Sequence, residues 1–178
     1  MKPNELPDYP TLLARLVGAV REHILPRSPQ PPLLIGIQTG GLWVAADLAH
    51  KLGLDAAIGR LDIGFYRDDY QHAGLAPALL PSALPWPIDD RQLLLVDDVL
   101  NTGRTVRAAL NEIFDFGRPA AIALAVLISR DGRELPIQAD AVGLQITLPA
   151  HTTVKLRGPA PLHLDYQVAR QTRNCEHG

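Results

Sequence analysis

The chain has 178 residues, a length that one ordinary domain fills and at which a sizeable core is buried without cross-links, so a second full domain is not expected. Its single cysteine, Cys175, excludes a disulfide framework and a cysteine metal cluster; no signal-type N-terminus and no apolar run of about 20 residues is seen, and a soluble cytoplasmic protein is expected. Seventeen Lys and Arg against nineteen Asp and Glu give a formal net charge of −2, which argues against a surface shaped as a whole for polyanions and leaves room for a local basic patch.

In chain order, Leu13, Leu16, Val17, Val20 and Ile24 recur at helical spacing and predict an amphipathic helix from about Thr11 to Ile24, with Pro10 suited to its first turn. Pro26, Pro29, Pro31 and Pro32 end it, and Leu33 to Ile37 follows as the wholly apolar run of a strand buried on both faces. Gln38-Thr39-Gly40-Gly41 reads as a turn, Leu42 to Leu52 as a helix stopped by Gly53, and Ala56 to Ile63 as the strand that completes a βαβ unit. From Phe65 to Arg91 the periodicity disappears, and Pro77, Pro81, Pro85 and Pro87 punctuate an excursion too long for an ordinary loop. Leu93 to Val96 is a second buried strand, Val99 to Thr105 a turn, and Val106, Ala109, Leu110, Ile113 and Phe114 the stripe of a helix closed by Gly117 and Pro119. Ala121 to Ile128 is a third buried run, followed by a charged loop from Ser129 to Glu134. Short strands are expected at Ala141 to Leu144, Val154 to Leu156 and Leu162 to Tyr166, before a frayed tail at about 169–178. Strands alternating with helices predict an α/β fold: a parallel sheet with helices on both faces and ligands at the carboxyl ends of the strands.

The run Leu93-Leu94-Leu95-Val96-Asp97-Asp98-Val99-Leu100-Asn101-Thr102-Gly103-Arg104-Thr105 carries the most specific chemistry. An apolar strand delivers two adjacent carboxylates to its carboxyl end, just before a small polar turn that opens a helix. Backbone N–H groups of Asn101 to Thr105 at that helix N-terminus, with the hydroxyls of Thr102 and Thr105, suit a dianionic phosphate, and Gly103 lets the backbone approach it. Arg104 either adds charge there or points away. Ionised Asp97 and Asp98 only accept hydrogen bonds, which suits the hydroxyls of a ribose, and their charge favours a sugar carbon turning cationic. Taken apart, a solvated acidic strand end and a capped turn are common; joined in this order they resemble the 5-phosphoribosyl-1-pyrophosphate (PRPP) signature of type I phosphoribosyltransferases.

The resemblance extends to the PyrR family, regulators of pyrimidine operons that are often also uracil phosphoribosyltransferases. It is carried by Ile35-Gly36-Ile37-Gln38-Thr39, by Leu61 to Asp69, by Val106 to Leu110 with Gly117 to Ala120, by Leu124 to Leu127 and by Arg133 to Asp140, in family order. The resemblance implies one phosphoribosyltransferase domain over 1–178 with a flexible hood at about 64–90, Mg²⁺ held mainly by PRPP, uracil and UMP or UTP as ligands, and a homo-oligomer, dimer or higher. It places Thr39 and Gly40 in a pyrophosphate loop, Asp97, Asp98, Val99, Leu100, Asn101, Thr102, Gly103, Arg104 and Thr105 in the PRPP site, Arg130 at the active-site edge and Val154 in the uracil pocket. Arg67 either pairs with Asp62 or Asp68 or lies where a closing hood reaches pyrophosphate.

Two departures stand out. Gly40 occupies a position where the family usually carries arginine, so a direct cation for the leaving pyrophosphate is missing. On the face that contacts leader RNA in the family, Arg15 and Arg133 are kept while Gly18, Gln138 and Leu144 replace typically basic residues, which predicts fewer phosphate contacts. A non-catalytic sensor of uridine nucleotides or PRPP, and a purine phosphoribosyltransferase, remain the alternative readings. The six histidines show no ligand spacing, no protein metal site is expected, and Trp43 reads as a core or subunit contact.

Overall fold

The computed structural model describes residues 6–64, 80–149 and 152–168. Helix α1 (Tyr9–His23) begins at Asp8, whose carboxylate accepts the Thr11 amide at 3.0 Å, and its apolar stripe of Leu12, Leu13, Leu16, Val17 and Val20 is buried. A short 3₁₀ turn leads to β1 (Leu33–Ile37), followed by α2 (Gly40–Leu52), β2 (Gly59–Leu61), β3 (Gln92–Leu100), α3 (Arg104–Phe116), β4 (Ala121–Arg130) and β5 (Ala141–Ile146). Strands β1 to β5 form one parallel sheet in the order β2-β1-β3-β4-β5. The last two strands, β6 (Thr152–Arg157) and β7 (His163–Val168), pair antiparallel as a separate hairpin.

Both faces of the sheet are covered, which is why its strands read as unbroken apolar runs. Val44, Ala45 and Leu48 of α2 join α1 in the core on one face, and Val106, Ala109 and Ile113 of α3 build the core on the other. The chain leaves β1 toward β2 on one side and returns to β3 on the other. The switch in strand order therefore falls between β1 and β3, the place where ligands enter sheets of this kind. The phenol of Tyr9 donates to Asp47 at 2.7 Å and clamps α1 to α2; burial, then this hydrogen bond, pushes its pKa well above the ordinary tyrosine value.

The elements appear where the sequence places them, with four corrections, the first that β4 runs on through Arg130, so Ser129 and Arg130 are strand and not loop. Strand β3 runs on through Leu100, so Val99 and Leu100 are strand and not turn, and Leu100 lies in the core. Strand β2 is confined to Gly59–Leu61: Ala56 and Ala57 are exposed, and the Ala57 carbonyl is used by the Trp86 indole N–H at 3.0 Å. Helix α2 begins already at Gly40, so the expected turn shrinks to the residues before it. Of the expected hood, residues 65–79, Arg67 among them, lie outside the described residues, as does the tail at 169–178. From residue 80 the chain packs back on the sheet: Ala83 and Arg60 exchange backbone hydrogen bonds at 2.9 Å, and Ile88 is fully buried. Trp43 is half-buried against the core, as read from the sequence. Among the described residues no helix is long and apolar enough to cross a membrane.

Candidate active site

Strands β1 and β3 are parallel neighbours, and each runs at its carboxyl end into a helix. The N-termini of α2 and α3 therefore open toward the same edge of the sheet, one from each face. Unpaired N–H groups and the helix dipole make each end attractive to an anion. Between them, two residues short of the end of β3, stand Asp97 and Asp98, 2% and 8% exposed. Two anion-seeking ends flanking two buried carboxylates form a site polarised for a ligand with an anionic group at each end and hydroxyl donors between.

Close approach of α2 depends on glycine. A side chain at Gly41 would strike the Val96 carbonyl at 2.5 Å, so the first turn of α2 rests directly on the β3 backbone. At Gly40 an added Cβ would lie 2.5 Å from Cγ and Oδ2 of Asp98: the Asp98 carboxylate fills the space that a residue-40 side chain needs. At the position where the resemblance implies arginine, an acidic group thus stands against the loop. Neighbouring strand residues leave on opposite faces, and Asp97 continues the parity of Leu93 and Leu95, which pack on the α3 side. Oδ1 of Asp97 accepts the Asp98 amide at 2.9 Å. The acidic pair is thereby divided, Asp98 toward the Thr39–Gly40 loop and Asp97 toward the loop that opens α3.

That second loop is held from behind. Gly103 adopts φ 91°, the left-handed conformation that only glycine takes without strain, and its carbonyl receives the Arg107 amide at 2.9 Å as α3 begins. The Thr102 hydroxyl accepts the Arg104 amide at 3.3 Å, and the Thr102 carbonyl accepts the amides of Glu134 and Leu135, both at 3.1 Å. Arg104 pairs with Glu134, Nε to Oε2 at 2.8 Å. Sequence reading missed Glu134 and Leu135 because nothing in their spacing marks a contact made thirty residues away.

The other residues singled out from the sequence are dispersed. Arg130, at the end of β4, donates from Nη1 to the Thr152 carbonyl at 2.6 Å and ties β6 to the carboxyl edge of the sheet. Its Nε and the Thr152 hydroxyl are buried without a hydrogen-bond partner among the described residues. Val154 is 6% exposed, its side chain in the core shared with α1 and α2. Asn101 and Arg133 are exposed beside the α3 loop, Thr39 is exposed at the head of α2, and Arg15 is exposed on α1, on the face of the sheet away from α3. Thr105 is half-buried in the first turn of α3.

A model of the phosphoribosyl transferase domain matches residues 6–156. The chain is 50% identical over 163 residues to the bifunctional protein PyrR of Pseudomonas aeruginosa strain LESB58, covering 92% of this chain and 96% of that one. It is 48% identical over 162 residues to the bifunctional protein PyrR of Pseudomonas fluorescens Pf-5, covering 91% and 96%. Among solved structures, a hypoxanthine phosphoribosyltransferase of Staphylococcus aureus superposes with a TM-score of 0.61 at 16% identity over 80% of this chain and 76% of that one, a likeness of fold. Matched by the domain over its sheet and helices α1 to α3, and by these relatives along nearly its whole length, the chain belongs to the PyrR family of phosphoribosyltransferases.

Proposed function

We propose that the crevice between β1 and β3 transfers the ribose 5-phosphate unit of PRPP to uracil, giving UMP and pyrophosphate. The observation that carries this reading is the meeting of two helix N-termini at one sheet edge with the Asp97–Asp98 pair between them. Backbone amides from Asn101 to Thr105 hold the 5′-phosphate, and those at Thr39 and Gly40 hold pyrophosphate. Asp97 and Asp98 accept the ribose hydroxyls and offset the positive charge that grows on the anomeric carbon as pyrophosphate leaves with the bonding electrons. Uracil N1 then bonds to that carbon and its proton is lost, with Arg130 and Val154 taken as the residues on the base side. The protein's share is to position the reactants and to place charge.

Magnesium fits this donor set as an ion carried mainly by substrate oxygens. The strand end offers hard carboxylate oxygens, and among the described residues no group of three or more His, Cys, Asp or Glu forms a cage. When bound with PRPP it supplies neutralising charge to the leaving pyrophosphate.

The same reading takes the chain as one phosphoribosyltransferase domain that works in the cytoplasm as a homo-oligomer, with Arg15 and Arg133 contacting leader RNA. A second reading, a sensor that reads UMP, UTP or PRPP without turnover, is favoured by the carboxylate at Gly40 in place of a cation. A coupled assay with saturating PRPP and Mg²⁺ and uracil, guanine or hypoxanthine as acceptor separates the cases. Uracil-dependent UMP formation is expected; nucleotide binding with no turnover on any base leaves the sensor, and turnover on guanine or hypoxanthine alone makes it a purine enzyme.

A further inference from the structure

We infer that Gln38 is a positioning residue for pyrophosphate, tying the returning stem of the 65–79 excursion to the loop at the head of α2. Gln38 is the last residue before Thr39, and although polar it is 8% exposed. Its amide donates to the Leu61 carbonyl at 2.9 Å, fixing the end of β1 to the end of β2. Its side chain Nε2 donates to the backbone carbonyl of Leu80, the first described residue after the excursion. Leu80 as a residue is 59% exposed, so it is the hydrogen-bonded main chain of the stem that the sheet grips and not an apolar anchor.

The stem is held further along by a second set of bonds, all to β2 and the residues beside it. Arg60 Nε donates to the Pro81 carbonyl at 3.0 Å, the Asp62 amide to the Ser82 hydroxyl at 2.8 Å, and Arg60 and Ala83 pair as an antiparallel bridge. These bonds dock the stem on the sheet edge. The Gln38 bond carries the connection one strand further in, to the residue whose carbonyl group forms the peptide with Thr39. A buried amide donor lost from a buried or half-buried carbonyl leaves that carbonyl seeking another partner, and the loop shifts with it. The orientation of the Thr39 and Gly40 amides is thereby linked to where the excursion ends. No spacing in the sequence marks this contact, because Gln38 and Leu80 lie 42 residues apart.

The inference rests on the assignment of Thr39 and Gly40 to pyrophosphate, and the test separates the two. Gln38→Met keeps the length of the side chain and removes its hydrogen bonds; Gln38→Glu keeps the acceptor oxygen and removes the donor. Binding of pyrophosphate, PRPP and UMP is measured for the wild type and both variants in the full chain with Mg²⁺, beside a urea unfolding curve. UMP carries the 5′-phosphate, ribose and base but no pyrophosphate. The expected result is a loss of about fivefold in affinity for pyrophosphate and PRPP in both variants, with UMP within about twofold of the wild type. Equal weakening of all three ligands marks a role in the fold alone and overturns the inference, as does pyrophosphate binding unchanged in both variants. A wild type that binds UMP but not pyrophosphate overturns it by removing the assignment on which it stands, and a wild type that binds none of the three removes the phosphoribosyltransferase reading as well.

Discussion

The loop before α3 and the loop before α2 face one crevice and are built from different materials. The α3 loop is polar and backed by a second segment: Gly103 turns it, Thr102 is gripped by the amides of Glu134 and Leu135, and Arg104 is tied to Glu134. The α2 loop is made of glycine and works by closeness, with Gly41 on the β3 backbone and Gly40 on the Asp98 carboxylate. A loop whose geometry is set by its own residues and a local brace withstands changes nearby. One set by contact with a neighbouring strand transmits them. Asp98 belongs to the second kind, and disturbance at either Gly40 or Asp98 is expected to reach the other.

The largest effect is expected at Asp98. Asp98→Asn keeps the shape that fills the Gly40 space and removes the charge, so kcat/KM for PRPP should fall by about 10²- to 10³-fold, with melting temperature little changed. A loss under about tenfold would show that this carboxylate is packing and not chemistry. Next comes Gly40→Ala, whose methyl meets the Asp98 carboxylate at 2.5 Å. It should cost roughly tenfold in kcat/KM, an effect that disappears when combined with Asp98→Ala; additive losses in that double-mutant cycle would break the coupling claimed between Gly40 and Asp98.

Gly103→Ala sharpens the other side of the comparison. The nearest atom to an added Cβ is that of Leu135 at 3.4 Å, so there is room, and the cost is the φ of 91° imposed on an L residue. About 1–2 kcal/mol of stability should be lost in urea titration, since only glycine takes that conformation freely. The smallest effect is expected from Glu134→Gln. Both partners of its ion pair with Arg104 are half exposed, 50% and 57%, so less than about 1 kcal/mol is at stake and the PRPP KM should stay within about threefold. A larger rise would mean that the brace on the α3 loop is the charge pair and not the two amide bonds to Thr102.

This contrast also explains what the sequence made legible. The α3 loop was readable because strand, acidic pair, turn and helix follow one another without interruption, so local chemistry alone specifies them. Family membership was legible for the same reason, in runs such as Ile35 to Thr39 and Arg133 to Asp140. The α2 loop looked like an ordinary Gly-Gly turn with a missing arginine, since only packing against β3 reveals what Asp98 does there. Strand β2 was over-read because Ala56 and Ala57 are apolar by composition yet lie exposed, and the chain around 84–88 was under-read because its prolines hide Ile88, a fully buried core residue. Contacts between distant segments, Gln38 with Leu80 and Thr102 with Glu134, leave no periodic trace.

The central claim is that two helix ends hold the 5′-phosphate and the pyrophosphate of one ligand, each in its own loop. Calorimetric titration with ribose 5-phosphate and pyrophosphate, separately and together in the presence of Mg²⁺, tests it most directly. The account predicts that the two bind at the same time without displacing each other and that PRPP displaces both. Mutual displacement of ribose 5-phosphate and pyrophosphate would place them in a single anion site and contradict the two-loop reading.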